Sequence, residues 1–140
     1  MDKAGNASES SASHRRERGI AAYAHQFSMP EAQVPAHLAD LIGTVLAEEA
    51  FESAGGAAWH HPSLSPRDRS LVVLSCLITL GGVEDRLRSH IRLALDEGIT
   101  PEGLEAVTSL LASYAGFPRA TVATEVIRDE LSTRCGSDQR

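Results

Sequence analysis

The stretch "SPRDRSLVVLSCLITLGG", residues 65–82, constrains the fold more than any other part of the chain. Ser65 can cap a helix, Pro66 suits the first helical position, and Asp68 can complete a capping box. From Leu71 to Leu80 the residues are apolar on all sides, and Gly81-Gly82 ends the run. Alone, a Val-, Leu- and Ile-rich run of this length reads equally as a buried strand. The cap decides for a helix, buried on most of its faces. Such a helix needs other helices with apolar faces around it.

The rest of the sequence supplies them. "AHLADLIGTVLAEEAF" sets Leu38, Leu41, Ile42, Val45, Leu46 and Phe51 at helical intervals, and "ESAGGAAWHHPSL" breaks that pattern with Gly55-Gly56 and Pro62. In "EDRLRSHIRLALDEGIT", Val83, Leu87, Ile91 and Ala94 form one stripe opposite Glu84, Arg88, Arg92 and Asp96, with Gly98 as the stop. Thr100-Pro101-Glu102 starts a further helix with Leu104, Val107, Leu111 and Tyr114 inward. "GFP", residues 116–118, closes it and opens the last, with Ala120, Ala123, Ile127 and Leu131 inward. No strand pattern or repeat competes. The expected fold is all-α, a single domain of five to six helices over residues 20–134. A Ser-, Ala- and Arg-rich tail, 1–19, is expected to be disordered, and a short tail covers 135–140.

The 140 residues suit one domain, and 42% hydrophobic content can fill its core. Aromatics are only 4%, so any pocket is mainly aliphatic. A net charge of −6 argues against a nucleic-acid surface. Cys76 and Cys135 form no CxxC pair, which fits a reducing compartment, and Cys76 in its apolar run reads as a small buried hydrophobe. No targeting segment is visible, and "LVVLSCLITL" is about half the ~20 residues that span a bilayer. A soluble, cytoplasmic protein with no membrane partner is expected.

His90 is the residue with the most chemical potential. It lies at the edge of its helix's buried stripe, one turn after Arg86. It reads either as a partly buried core histidine or as a proton donor at a pocket wall. In the second case burial and Arg86 would favour the neutral imidazole that general acid–base work needs. Arg67 and Arg69 flank Asp68 where a cation meets the partial positive charge of a helix start, so Arg69 is a candidate for holding an anion. "WHHP" at residues 59–62 has no cysteine or carboxylate at metal-ligand spacing, and no metal is expected. Trp59 reads as packing or as a pocket wall. No phosphate loop, dinucleotide fingerprint or nucleophile elbow exists.

Three pieces in order, "WHHPSLSPRDRSLVVLSCLITLGG", "LRSHIRLALDEGITPE" and "YAGFPRA", make the stretch from Trp59 to Ala123 resemble the carboxymuconolactone decarboxylase family. That resemblance implies an all-helical fold of the alkyl hydroperoxidase D type, assembled as a trimer or hexamer. It implies cofactor-independent decarboxylation of a small carboxylated lactone or a related enolisable acid. His90 falls on the family's histidine, Arg69 on its arginine, and Tyr114, Gly116 and Pro118 on its Y-G-P piece. The hydroperoxidase branch has a redox cysteine pair where this chain has Val83 and Arg86, so peroxidase activity is not expected. The decarboxylase branch has acids where Arg86, Gly103 and Ala106 stand. That leaves isomerisation, dehydration or cyclisation in secondary metabolism open, as well as a non-catalytic ligand-binding scaffold. The expected catalytic residues are His90, Arg69 and Arg86. Trp59, His60, Tyr114 and Cys76 are the substrate-binding candidates.

Overall fold

The computed structural model of the chain describes residues 3–137 and, among them, α-helices, one 3-10 turn and no strand. These residues fall into two compact units that divide after Ser63.

The first unit holds α1 (Lys3–Phe27), a 3-10 turn (Glu31–Gln33), α2 (Val34–Ile42) and α3 (Thr44–Ala54). Its core joins Ala24 of α1 to Val34 and Leu38 of α2 and Ala47 and Phe51 of α3, with Ile20, Tyr23 and Phe27 against them. Full burial of a side chain such as Phe51 or Leu38 contributes about 1.5–3 kcal/mol. Tyr23 meets the Phe51 ring edge-on at 5.7 Å and stacks on Phe27 at 5.7 Å.

Here the structure departs from the sequence expectation twice. The helix expected through residues 36–51 is two helices, because Gly43 takes φ 85, a left-handed value open to glycine. The break rephases the chain. Leu38 and Phe51 stay inside, but Leu41, Val45 and Leu46 are 50%, 81% and 58% exposed. The stretch 1–19, expected to be a disordered tail, enters α1 at Lys3 (residues 1–2 lie outside the described ones). What holds its later part is specific. Arg16 forms a two-point ion pair with Glu48 (2.6 and 2.8 Å) and lies over the Phe51 ring, and Arg18 donates to the Gly55 carbonyl at 3.1 and 2.8 Å. Hydrogen bonding to Glu48 holds the Arg16 pKa up, and the same contact holds the Glu48 carboxyl down. Both groups are partly exposed, so the pair contributes under about 1 kcal/mol. Closer still, a Cβ on Gly19 would lie 2.0 Å from the Phe51 carbonyl oxygen, and one on Gly55 would lie 1.7 Å from that of Arg15. Only glycines permit α1 and α3 to cross this tightly.

The second unit holds α4 (Pro66–Leu80), α5 (Glu84–Asp96), α6 (Pro101–Ala115) and α7 (Phe117–Ser137). The α4 cap forms as its sequence predicts: Ser65 Oγ accepts from the Asp68 amide at 3.1 Å and Asp68 Oδ2 accepts from the Ser65 amide at 3.0 Å. The Ser65 hydroxyl, donating to Asp68 Oδ2 at 2.7 Å, and then the Ser65 amide hold the Asp68 carboxyl below the usual carboxylate range. Thr100 caps α6 one way only, its hydroxyl oxygen accepting from the Gly103 amide at 3.1 Å. The core gathers Leu74 and Ile78 of α4, Leu87, Ile91 and Ala94 of α5, Leu104 of α6 and Ile127 of α7. Helix α4 turns back into α5 through Gly81 and Gly82, both with positive φ. Ion pairs Arg88–Asp129, Arg92–Glu130 and Arg134–Asp96 rise along α5 and α7 together, so these two helices run parallel, with α4 and α6 opposed to them.

The α7 helix continues to Ser137, through the start of the tail expected at 135–140; residues 138–140 lie outside the described ones. The seven α-helices among the described residues exceed the five to six expected. Helix α4 is also less buried than its composition suggests. Ser70, Leu74 and Ile78 are inside, whereas Val72 and Leu80 are each 61% exposed. No helix among the described residues is long and apolar enough to cross a membrane.

Candidate functional site

Helix α5 is a stiff platform. Glu84 and Asp85 occupy its first turn, where carboxylates suit the unpaired amides. Its far end closes with Ile99 N–H donating to the Ala94 carbonyl at 2.9 Å and Gly98 N–H to that of Leu95 at 3.1 Å, with Gly98 at φ 87. This is the paired-bond glycine stop, and buried Ile99 fixes it to the core.

His90 sits on this platform beside the buried stripe of Leu87, Ile91 and Ala94 and is itself half-buried. Burial lowers its pKa below the ordinary 6.5, and the charge of Arg86 lowers it further. The ring has no hydrogen-bond partner among the described residues, and neither nitrogen is sealed from solvent. A neutral imidazole with accessible nitrogens can donate a proton at one and accept at the other. Arg86, one turn earlier, is exposed and makes no ion pair or hydrogen bond among the described residues. Its guanidinium is available to an oxyanion.

The other sequence-nominated residues are placed differently. Arg69 turns back from α4 to donate to the Leu64 carbonyl at 2.6 Å, bracing the loop that leads into the helix. Tyr114, expected inward on α6, is 84% exposed, because Leu104, Thr108 and Ala112 take the buried face. Cys76, expected as a buried hydrophobe, is exposed and lies in a shallow depression with Ser75, Thr79, Leu80 and Arg119. Trp59, half-buried, and His60, exposed, belong to the first unit. The structure therefore brings together His90 and Arg86. No group of three or more His, Cys, Asp or Glu side chains that could hold a metal occurs among the described residues.

Sequence reasoning passed over Arg119. Its Nη1 donates to the Thr79 and Leu80 carbonyls at the end of α4, and a Cβ on Gly81 would lie 3.0 Å from that nitrogen. It borders a cleft of about 330 Å³ at the Gly81–Gly82 corner. The clue was available: "GFPRA" puts an arginine in a helix's first turn, the oddity that drew notice to Arg69.

Over 80 residues the chain is 36% identical to a 4-carboxymuconolactone decarboxylase of Acinetobacter baylyi, a match covering 54% of this chain. The chain spans 59% of the length of that relative. Residues 46–129, more than half of the chain and including α5 with His90, match the Carboxymuconolactone decarboxylase family, and the chain belongs to that family.

Proposed function

We propose that the chain is a cofactor-independent, decarboxylase-like lyase acting on a small carboxylated lactone or a related enolisable acid. The observation that carries the reading is His90: half-buried, kept neutral, open at its nitrogens, with an uncommitted arginine one turn away. The relative's name supports the substrate class. The bond to the departing carboxylate breaks, and its electrons enter the conjugated carbonyl of the ring to give an enolate. Arg86 stabilises the enolate oxygen, electrostatic help of the kind that often contributes most to an enzyme's rate enhancement. With CO2 gone, His90 delivers a proton to carbon from one ring nitrogen while the other takes one up from solvent, so the imidazole ends neutral. Arg69, Tyr114 and Cys76, in the same unit as His90, are the remaining candidates for contact with the substrate. Self-association as a trimer or hexamer and a cytoplasmic location belong to the same proposal.

Proton transfer without loss of CO2 is the second reading. Arg86 serves it equally, since a cation beside an imidazole stabilises an enolate whether or not decarboxylation formed it.

The test is turnover of 4-carboxymuconolactone, followed by absorbance and CO2 release, with His90→Ala alongside. The expected loss is about 100-fold or more, with assembly retained. Turnover that survives in the variant removes His90 from the mechanism. No turnover by folded wild type overturns the lyase reading and directs assays to isomerisation, or to ligand binding alone.

A further inference from the structure

We propose that the cleft at the Gly81–Gly82 corner is a binding site for a small amphipathic monocarboxylate that carries a hydrogen-bond donor, and that it is separate from His90. The cleft is built within the second unit, where α4 ends and α5 and α7 begin. Its volume, about 330 Å³, lies at the small end of the range for ligand pockets. Leu77, Leu80, Val83, Leu87 and Val122 give it aliphatic walls. His90 is not among the lining residues.

Two charges make the cleft selective. Arg119 crosses from α7, and only its Nη1 is engaged among the described residues, on the Thr79 and Leu80 carbonyls. A guanidinium has five N–H donors, so Nη2 and Nε remain for a ligand. Gly81 leaves room for this placement, since a side chain there would press on Nη1. Fixed by one nitrogen and open at the others, the group presents a ready carboxylate fork. Glu84 borders the same cleft and makes no ion pair or hydrogen bond among the described residues. It repels a second carboxylate and accepts from a hydroxyl or amine. The occupant is therefore a hydroxy or amino acid with one carboxylate and an apolar body the size of a substituted ring. A dicarboxylate is disfavoured.

The experiment titrates 4-hydroxyphenylacetate into the ¹⁵N-labelled full chain and follows amide shifts. The proposal expects shifts centred on Gly81, Gly82 and Val122. Neutral 4-hydroxyphenylacetamide binds about 10-fold more weakly, the scale of one charge-assisted contact. The dianion 4-carboxyphenylacetate is also weaker, and Glu84→Gln restores it. Val122→Trp, at a position 42% exposed, fills the cleft and abolishes binding while helix content is unchanged. His90→Ala leaves binding intact. Arg119→Gln weakens binding about 10-fold, but it also uncaps α4, so the Val122 and Glu84 variants decide. Absence of shifts up to the probe's solubility limit overturns the proposal. So do shifts that survive Val122→Trp, equal affinity for acid and amide, or loss of binding in His90→Ala.

Discussion

Arg86 and His90 share one face of α5, a helical turn apart, and after burial the arginine's charge is what keeps the imidazole neutral. Neither makes a hydrogen bond among the described residues, so the coupling between them is purely through space. It is therefore adjustable at one position without repacking the core.

Replacing Arg86 with Gln should raise the His90 pKa towards 6.5 without reaching it, since burial persists. The Cε1 proton of His90, titrated by NMR in both proteins, gives the answer. An unchanged titration would mean that burial alone sets the value.

The same depression makes stability depend on pH. The unfolded chain takes up the His90 proton more readily than the folded one, so protonation draws the equilibrium towards unfolding. The advantage of the neutral form is fully present above 6.5 and is lost as pH falls through the lowered folded value. Urea midpoints measured on either side of 6.5 should fall on the acid side, and His90→Asn should remove its share of that fall.

The α1–α3 crossing should tolerate no methyl group. Gly19→Ala drives a Cβ to 2.0 Å from a backbone oxygen, which no side-chain rotation relieves. A loss of about 3 kcal/mol is expected, the upper end for overpacking. Gly43→Ala is the control: its φ of 85 is strained for alanine but nothing stands within 4 Å, so about 1 kcal/mol is expected. Equal losses in urea melts would contradict the close crossing.

Glu130 is a buried carboxylate 3.5 Å from Arg92 and 3.8 Å from Arg88. Glu130→Ala should destabilise by about 1–2 kcal/mol. Arg88 keeps Asp129 and Arg92 reaches solvent, so neither cation is stranded. The difference from wild type should shrink in high salt.

The helices of the second unit were legible because their ends carry their own chemistry. Ser65, Pro66 and Asp68 form the box that their spacing predicts, and Leu87, Ile91 and Ala94 are buried as their period requires. What failed has identifiable causes. A helical period runs smoothly through Gly43, so the pattern alone cannot see the turn that exposes Val45. Nothing in a Ser- and Arg-rich segment announces that Gly19 will press against α3, because that packing depends on residues far along the chain. The Arg86–His90 pair was readable since both lie on one helix. Arg119 and Glu130 were not, because their partners lie on other helices.

The parallel course of α5 and α7 has an electrical consequence. At the pole of the second unit where Gly81 and Gly82 turn, α5 and α7 present their N-termini, and α4 and α6 their C-termini. Each end carries about half a unit charge, positive for the first pair and negative for the second, so the four dipoles largely cancel. The backbone field there is close to neutral, and the sign of the local potential falls to the charged side chains at these helix starts, Glu84, Asp85, Arg86 and Arg119. Neutralising Glu84, which makes no ion pair or hydrogen bond among the described residues, shifts that pole towards positive without removing a cap.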